Sequence, residues 1–310
     1  MKLMTKEKRY NTLNAYYKQK YGKKVFKVSL DGGFTCPNKD GSKGTKGCIY
    51  CSESGSGDFA GNKLKSITEQ FQEVKTRMLE KWPDAYTIAY FQANTNTYKP
   101  VKELKELYDE ALSADPSIVG LSIGTRPDAL NKDIMDLLSS YNDKTDLVVE
   151  LGLQSIHEKT NQFINRQHTL SCFEDAVKEL RKRNIDVVVH IINGFHIETK
   201  SDMLETIKYL NTLDIQGVKI HLLHVMKNTL LGRMYEQTPF KILNLEEYVD
   251  IVCDQLELLD ENIIIHRLTG DAPKELLIEP KWSLKKFVVM NEIDKEMRRR
   301  NTYQGQKNKK

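Results

Sequence analysis

Alternation of short apolar runs with longer amphipathic stretches is what most limits the fold of this 310-residue chain. The runs at 24–30, 86–92, 117–123, 146–153, 185–192, 217–224 and 262–268 are rich in β-branched and apolar residues and read as strands. Between them, 66–81, 101–113, 131–140, 171–183, 201–213 and 245–259 carry apolar residues at helical spacing. Ser171 and Glu174 stand in the pattern of a capping box and are expected to open the fourth of these helices. A βα repeat kept up through most of a chain implies a parallel sheet with crossover helices. The fold is therefore α/β, either an open doubly wound sheet or a complete or partial barrel, and the pattern alone leaves both standing. With 39% hydrophobic residues the chain can bury one large core.

One stretch breaks the rhythm. Residues 31–65 show no periodicity and hold eight of the seventeen glycines, and a long glycine-rich loop inside a compact domain usually has a function. Three of the five cysteines, Cys36, Cys48 and Cys51, fall there, just after the first strand. In parallel α/β architectures the C-terminal ends of the strands carry the active site. Five cysteines are too few for a disulfide scaffold, and three close together point to metal or catalysis. A structural zinc site normally has four protein ligands, and no histidine precedes His157, so Asp40 or Asp58 would have to complete it. A four-iron cluster on three cysteines instead leaves one iron open to a small molecule. Both chemistries fit the spacing.

The net charge of +4 is unevenly placed. Residues 1–30 carry nine Lys/Arg against one acid and residues 298–310 carry six against none, so the remainder is acidic. Tyr10, Tyr16, Tyr17 and Tyr21 interleave with the N-terminal lysines. Lysines that neutralise phosphates and rings that stack on bases make RNA a plausible partner; a basic amphipathic helix packed over the domain accounts for the same residues. No run of about eighteen apolar residues and no apolar N-terminal stretch occurs, so a cytoplasmic protein without membrane contact is expected.

The cysteine loop ends in C-x-Y-C, and FQANTNTY (91–98), GTRPD (124–128), VELGLQS (149–155), NRQHT (165–169) and HIINGFHIET (190–199) follow successive strands. Together these segments resemble the radical S-adenosylmethionine (SAM) superfamily, in the branch that includes the Elongator catalytic subunit and the YtqA/YhcC-like proteins. The eleven residues between Cys36 and Cys48 depart from the superfamily's commonest C-x-x-x-C spacing but match that branch. The resemblance covers nearly the whole chain. It implies a partial (β/α)6 barrel at 24–270, flanked by a basic aromatic extension at 1–23 and by a C-terminal helix and basic tail at 271–310. It also implies a [4Fe-4S] cluster on Cys36, Cys48 and Cys51, and SAM bound through its amino and carboxylate groups to the open iron. Electron transfer into the cluster cleaves SAM, and the resulting 5′-deoxyadenosyl radical abstracts hydrogen from a substrate. Asn94, Thr95 and Asn96 take the place of the familiar GGE segment near the SAM amino group. Glu150 and Gln154 are expected at the ribose, Arg166 at the SAM carboxylate, and Asn193 and Gly194 near adenine. Two-residue periodicity puts Glu150, Gly152 and Gln154 on one face, likewise His190 with Ile192 and His221 with Leu223. Arg126 with Asp128 also reads as a structural pair, His190, His221, His224 and His266 as polar core residues, and Cys172 and Cys253 as inert helical thiols.

For this branch the implied substrate is tRNA, at the wobble uridine, with 5-carboxymethylaminomethyl converted to 5-aminomethyl and an electron donor such as flavodoxin or ferredoxin. Two other readings stay open: a radical SAM enzyme acting on a peptide or small metabolite, and a non-enzymatic zinc-binding RNA adaptor.

Overall fold

In the computed structural model, which describes residues 3–308 apart from Glu53 and Ser56, each of the seven expected runs forms a strand. The strands are β1 (Val25–Leu30), β2 (Tyr86–Phe91), β3 (Ile118–Thr125), β4 (Asp146–Gln154), β5 (Asp186–Asn193), β6 (Gly217–Leu222), β7 (Val225–Met226), β8 (Ile264–Arg267) and β9 (Leu277–Glu279). The two short strands β7 and β9 pair antiparallel with each other. The other seven form one parallel sheet in the order β1-β2-β3-β4-β5-β6-β8. A doubly wound sheet reverses its order at a switch point; this one never does. Right-handed crossovers then put the crossover helices on one side, and the sheet curls around its other face into a partial barrel. The short β8 adds a seventh strand to the six of the (β/α)6 barrel that the resemblance implies.

The helices are α1 (Leu13–Tyr21), α2 (Ile67–Leu79), α3 (Val101–Ser113), α4 (Lys132–Asn142), α5 (Glu158–Phe163), α6 (Leu170–Lys182), α7 (Lys200–Leu210), α8 (Leu230–Gln237), α9 (Leu245–Leu258) and α10 (Lys286–Arg299). The six expected crossover helices are all present. The cap of α6 differs from expectation: Thr169, not Ser171, accepts from the Cys172 backbone N–H, at 3.2 Å. Both hydroxyls suit a cap, and the chain turns into the helix at Thr169, which leaves Ser171 within the first turn. Outward residues of the sheet, among them Leu121, Ile123, Val149, Leu151, Val187 and Val189, are buried against Leu104, Phe173, Leu180 and Ile207 of the helices. Each such side chain contributes about 1.5–3 kcal/mol by leaving water.

The two ends of the chain do not stand off as separate extensions. Helix α1 packs against both edge strands, β1 and β8, and its Tyr17 is buried with Val25 and Ile88 at the N-terminal end of the barrel. Tyr10 and Tyr17 are 1% and 5% exposed, so neither offers a ring to a base. The Tyr21 hydroxyl donates to Asp146. The packed-helix reading of this segment is the correct one, because its tyrosines supply apolar area that the open end of the barrel needs. Some of the basic charges are also answered locally: Lys8 pairs with Asp294, Lys20 with Asp146, and Arg300 with Glu296, Asp250 and Asp254. Lys2, Lys309 and Lys310, which belong to the same basic ends, lie outside the described residues.

N- and C-terminal segments are tied together by buried amides. Gln304 Oε1 accepts from the Asn11 backbone N–H at 2.9 Å, and its Nε2 donates to the carbonyls of Asp260 and Ile263 at 2.8 Å each. Ile265 N–H in turn donates to the Asn11 carbonyl. Gln304→Ala would strand three backbone groups away from water, at a cost of about 1–3 kcal/mol for each group that water does not reach. The expected result is a lower midpoint in urea unfolding with an unchanged denaturant slope.

Candidate active site

Strand alternation determines what the barrel interior contains. The parity that turns Val149 and Leu151 outward turns Glu150, Gly152 and Gln154 inward, and the registers carry that face across the sheet. Tyr90, Ser122, Glu150, His190 and Lys219 all lie on it. Glu150, 1% exposed, is the centre of this layer. Its Oε1 accepts from Lys27 and from Ser122 (2.9 Å), and its Oε2 from Tyr90 (2.9 Å), His190 (2.7 Å) and Lys219. Burial works against the carboxylate, but the two lysines and His190 outweigh it and hold the group well below the usual range. Burial brings Lys219 down to about 7 and His190 to about 4.

Above this floor opens a cavity of about 640 Å³, within the range of small-molecule sites. Cys36, Cys48 and Cys51 all line it, with Asn94, Thr95, Gln154, Arg126 and Arg166. The cysteine loop is braced where it crosses the barrel. Ile49 N–H donates to the Ile164 carbonyl (3.1 Å), Leu231 N–H to the Ile49 carbonyl (2.9 Å) and Asn165 Nδ2 to the Gly47 carbonyl (2.7 Å). Asn38 Nδ2 lies 3.6 Å from Cys48 Sγ. Gly55 has φ +60°, and a Cβ there would come within 1.9 Å of Asn94 Oδ1, so only glycine fits this approach. A hydrogen bond from Cys51, aided by the nearby Arg166 and Arg126, lowers the Cys48 thiol to about 6, while the same bond raises Cys51. Cys48 is thus the one of this pair to become thiolate first, the form that binds metal.

The residues fit an iron–sulfur cluster with an organic ligand better than a closed zinc site. Asp40 is exposed, turned to the Ser42 N–H at 3.0 Å and away from the cavity. Asp58 faces the cavity but accepts from the Ser52 and Ser54 hydroxyls. Beside the thiols, the buried Thr95 Oγ1 and Gln154 Oε1 have no hydrogen-bond partner among the described residues. Gln154 holds φ +66° to point there, a conformation costly for a non-glycine residue. Arg166, 3% exposed, has no acidic partner among the described residues; it donates to the Leu153 carbonyl and to His168, and burial lowers it to about 10. Two orphaned acceptors and an uncompensated guanidinium around three thiols are what a ligand with hydroxyl, amino and carboxylate groups would satisfy.

Other expected contacts are relocated. Glu150 faces the cavity, but five donors already occupy its lone pairs, which leaves none for a ribose. Asn96 does not line the cavity; it donates to the Gly124 carbonyl and receives the Tyr108 hydroxyl at its own. Asn193 exchanges hydrogen bonds with Gln255 (2.7 and 2.9 Å) behind the sheet, because its parity is that of the outward residues. Gly194, at φ +101°, faces Leu223 and Leu243 and also lies outside the main cavity. Arg126 grips Asp128 through two 2.9 Å bonds, the structural pairing, yet also lines the cavity. His190, His221 and His224 line it, whereas the thiol of Cys253 is buried and raised to about 12. Lys27, Tyr90, Lys219 and Arg267 were missed by sequence reasoning. The signal was there: Lys219 sits between Val218 and Ile220 in a central strand, two residues before His221.

A partial barrel with a three-cysteine loop after its first strand, opening on a polar interior, defines an enzyme that keeps an iron–sulfur cluster at the C-terminal mouth of its strands. Comparison with known proteins agrees. Residues 41–210 match the Radical SAM superfamily model and residues 215–299 the Radical_SAM C-terminal domain, and the chain belongs to the radical SAM superfamily. Membership implies a [4Fe-4S] cluster and SAM. Protein YtqA of Bacillus subtilis is 50% identical over 299 residues, 96% of this chain and 92% of that protein. A tRNA uridine(34) acetyltransferase of Methanocaldococcus jannaschii is 25% identical over 171 residues, 54% of this chain but 31% of that one. Among solved structures, the archaeal Methanocaldococcus infernus Elp3 superimposes with a TM-score of 0.67 at 17% identity, over 90% of this chain and 64% of that one, and shares the fold. No helix among the described residues is long and apolar enough to cross a membrane.

The floor gives a direct test of the electrostatics. Glu150→Ala would leave Lys27 and Lys219 buried without a counter-charge, so chemical denaturation is expected to show a loss of about 3–5 kcal/mol.

Proposed function

We propose that this radical SAM enzyme acts on tRNA at a 5-carboxymethylaminomethyl wobble uridine: the side-chain methylene gives up a hydrogen atom to the 5′-deoxyadenosyl radical and one further electron to an electron acceptor, and water hydrolyses the resulting imine to glyoxylate and 5-aminomethyluridine. The observation that carries the reading is that the three thiols, the orphaned acceptors beside them and a cationic interior all open into one cavity. The similarity to a protein named for tRNA uridine(34) supports the same substrate. With Tyr10 and Tyr17 packed inside, phosphate contact falls to exposed lysines of the cysteine loop, Lys46 and Lys63. A nucleobase must leave its stack to reach a site enclosed like this one.

Cys36, Cys48 and Cys51 would hold the cluster; Gln154 and Thr95 would meet SAM hydroxyl or amino groups, and Arg166 its carboxylate. The bound pair supplies a 5′-deoxyadenosyl radical when reduced. What the protein adds is position: the cavity walls hold the reacting carbon where only one C–H bond is within reach, and the open mouth admits the water that completes the reaction. Lys219 and His190, fixed on Glu150, keep the floor rigid beneath it.

Nucleoside mass spectrometry of tRNA from a deletion strain tests this reading. Accumulation of 5-carboxymethylaminomethyluridine with loss of 5-aminomethyluridine is expected; an unchanged wobble profile would contradict the proposal. The anaerobically isolated protein should be brown, with iron lost on Cys36→Ala, Cys48→Ala or Cys51→Ala, and colourless zinc protein would contradict the cluster.

A further inference from the structure

Positive charge in the barrel interior exceeds what its own carboxylates answer. Glu150 faces two lysines, Lys27 and Lys219, and is the only acid bonded to either among the described residues. Next to Lys219, in register on the neighbouring strand, stands Arg267. Its acidic partner among the described residues is Asp271, at a loose 3.4 Å, and Asp271 has a closer partner in Lys286 at 2.8 Å. Most of the guanidinium fork is therefore left to the cavity that Arg267 lines. Two imidazoles lie beside it: His221, on the same strand as Lys219, and His224, just beyond its end. The Nε2 atoms of both are buried without a hydrogen-bond partner among the described residues, and both side chains line the cavity. A Cβ on Gly270 would come within 2.7 Å of the His224 ring, so the backbone closes tightly behind it. Burial and the surrounding cations hold His221 well below its usual range, so it stays neutral and can donate one N–H without adding charge.

These groups stand apart from the residues assigned to SAM. Arg126 and Arg166 are the arginines whose charge lowers the Cys48 thiol; Arg267 acts instead on Lys219, His221 and His224. A planar fork and two neutral imidazoles lining one side of the cavity match a carboxylate, which takes two parallel N–H bonds from arginine. Phosphates of a nucleic acid remain at the mouth; what enters deepest is a base and its side chain.

We infer that Arg267, with His221 and His224, receives the carboxylate of the substrate side chain, and so sets which substituted uridine is accepted and where its methylene comes to rest. The inference rests on the tRNA reading above and makes that reading more specific. Asp271, already held by Lys286, keeps that partner when the substrate carboxylate takes the fork of Arg267.

The test uses the reconstituted full-length enzyme and tRNA carrying 5-carboxymethylaminomethyluridine, comparing wild type with Arg267→Gln and Arg267→Lys. A charge-assisted bidentate contact is worth roughly 10- to 100-fold in binding. Arg267→Gln is therefore expected to raise KM for this tRNA by at least about tenfold, with more 5′-deoxyadenosine released per product, and Arg267→Lys to recover part of the loss. Conversion by wild type with KM unmoved in Arg267→Gln would overturn this inference and leave the tRNA reading intact. A KM unmoved alongside a weakened Kd for SAM would overturn it in favour of a SAM contact. Failure of the wild type to convert the tRNA would overturn both.

Discussion

A single buried carboxylate organises the inside of this barrel. Two lysines, a histidine, a tyrosine and a serine converge on Glu150, and none of them has a reason to leave water without it. Barrels of parallel strands commonly fill their centre with layers of branched apolar side chains. Here the middle layer is ionic, so the space above it stays open and polar instead of collapsing. Most apolar area is buried on the outer face of the sheet, where Val149, Leu151, Val187 and Val189 meet the helices, with a small apolar cluster of Tyr17, Val25 and Ile88 closing the barrel's N-terminal end. Stability and function are thus divided between the two faces of the same strands, and alternate residues belong to different tasks.

That division explains how much could be read from the sequence. Strands and crossover helices follow from local periodicity, which the chain obeys almost throughout. The cysteine loop was legible because it interrupts that periodicity and carries thiols of the right number. Parity was legible too, within a strand: it correctly grouped Glu150 with Gly152 and Gln154, and His190 with Ile192. Parity between strands was not, since it depends on register. Lys27 and Tyr90 join the same layer only once β1, β2 and β3 are aligned. Asn193 failed for a related reason: it sits at a strand end, where nearness to the mouth suggested a ligand contact, but its side chain points to the helices and Gln255. Asn96 is near the mouth as well, yet ties one loop to another.

Charge and aromatic content at the chain ends left two readings open. A lysine- and tyrosine-rich segment has the composition of a nucleic-acid contact and of an amphipathic plug, and only burial separates the two. Tyr17 is the deciding residue, because it lies against Val25 and Ile88 at the end of the barrel away from the cysteines. Lys20 then follows its helix to Asp146. Sequence shows that such residues are present and periodic; it does not show whether their apolar face has something to cover.

The amide clasp that holds Asn11 to Gln304 and to the start of β8 places these two segments on the floor side of the molecule, opposite the opening that admits ligands. A cross-link or a surface tether introduced beside this clasp would therefore leave the entrance unobstructed and facing solution.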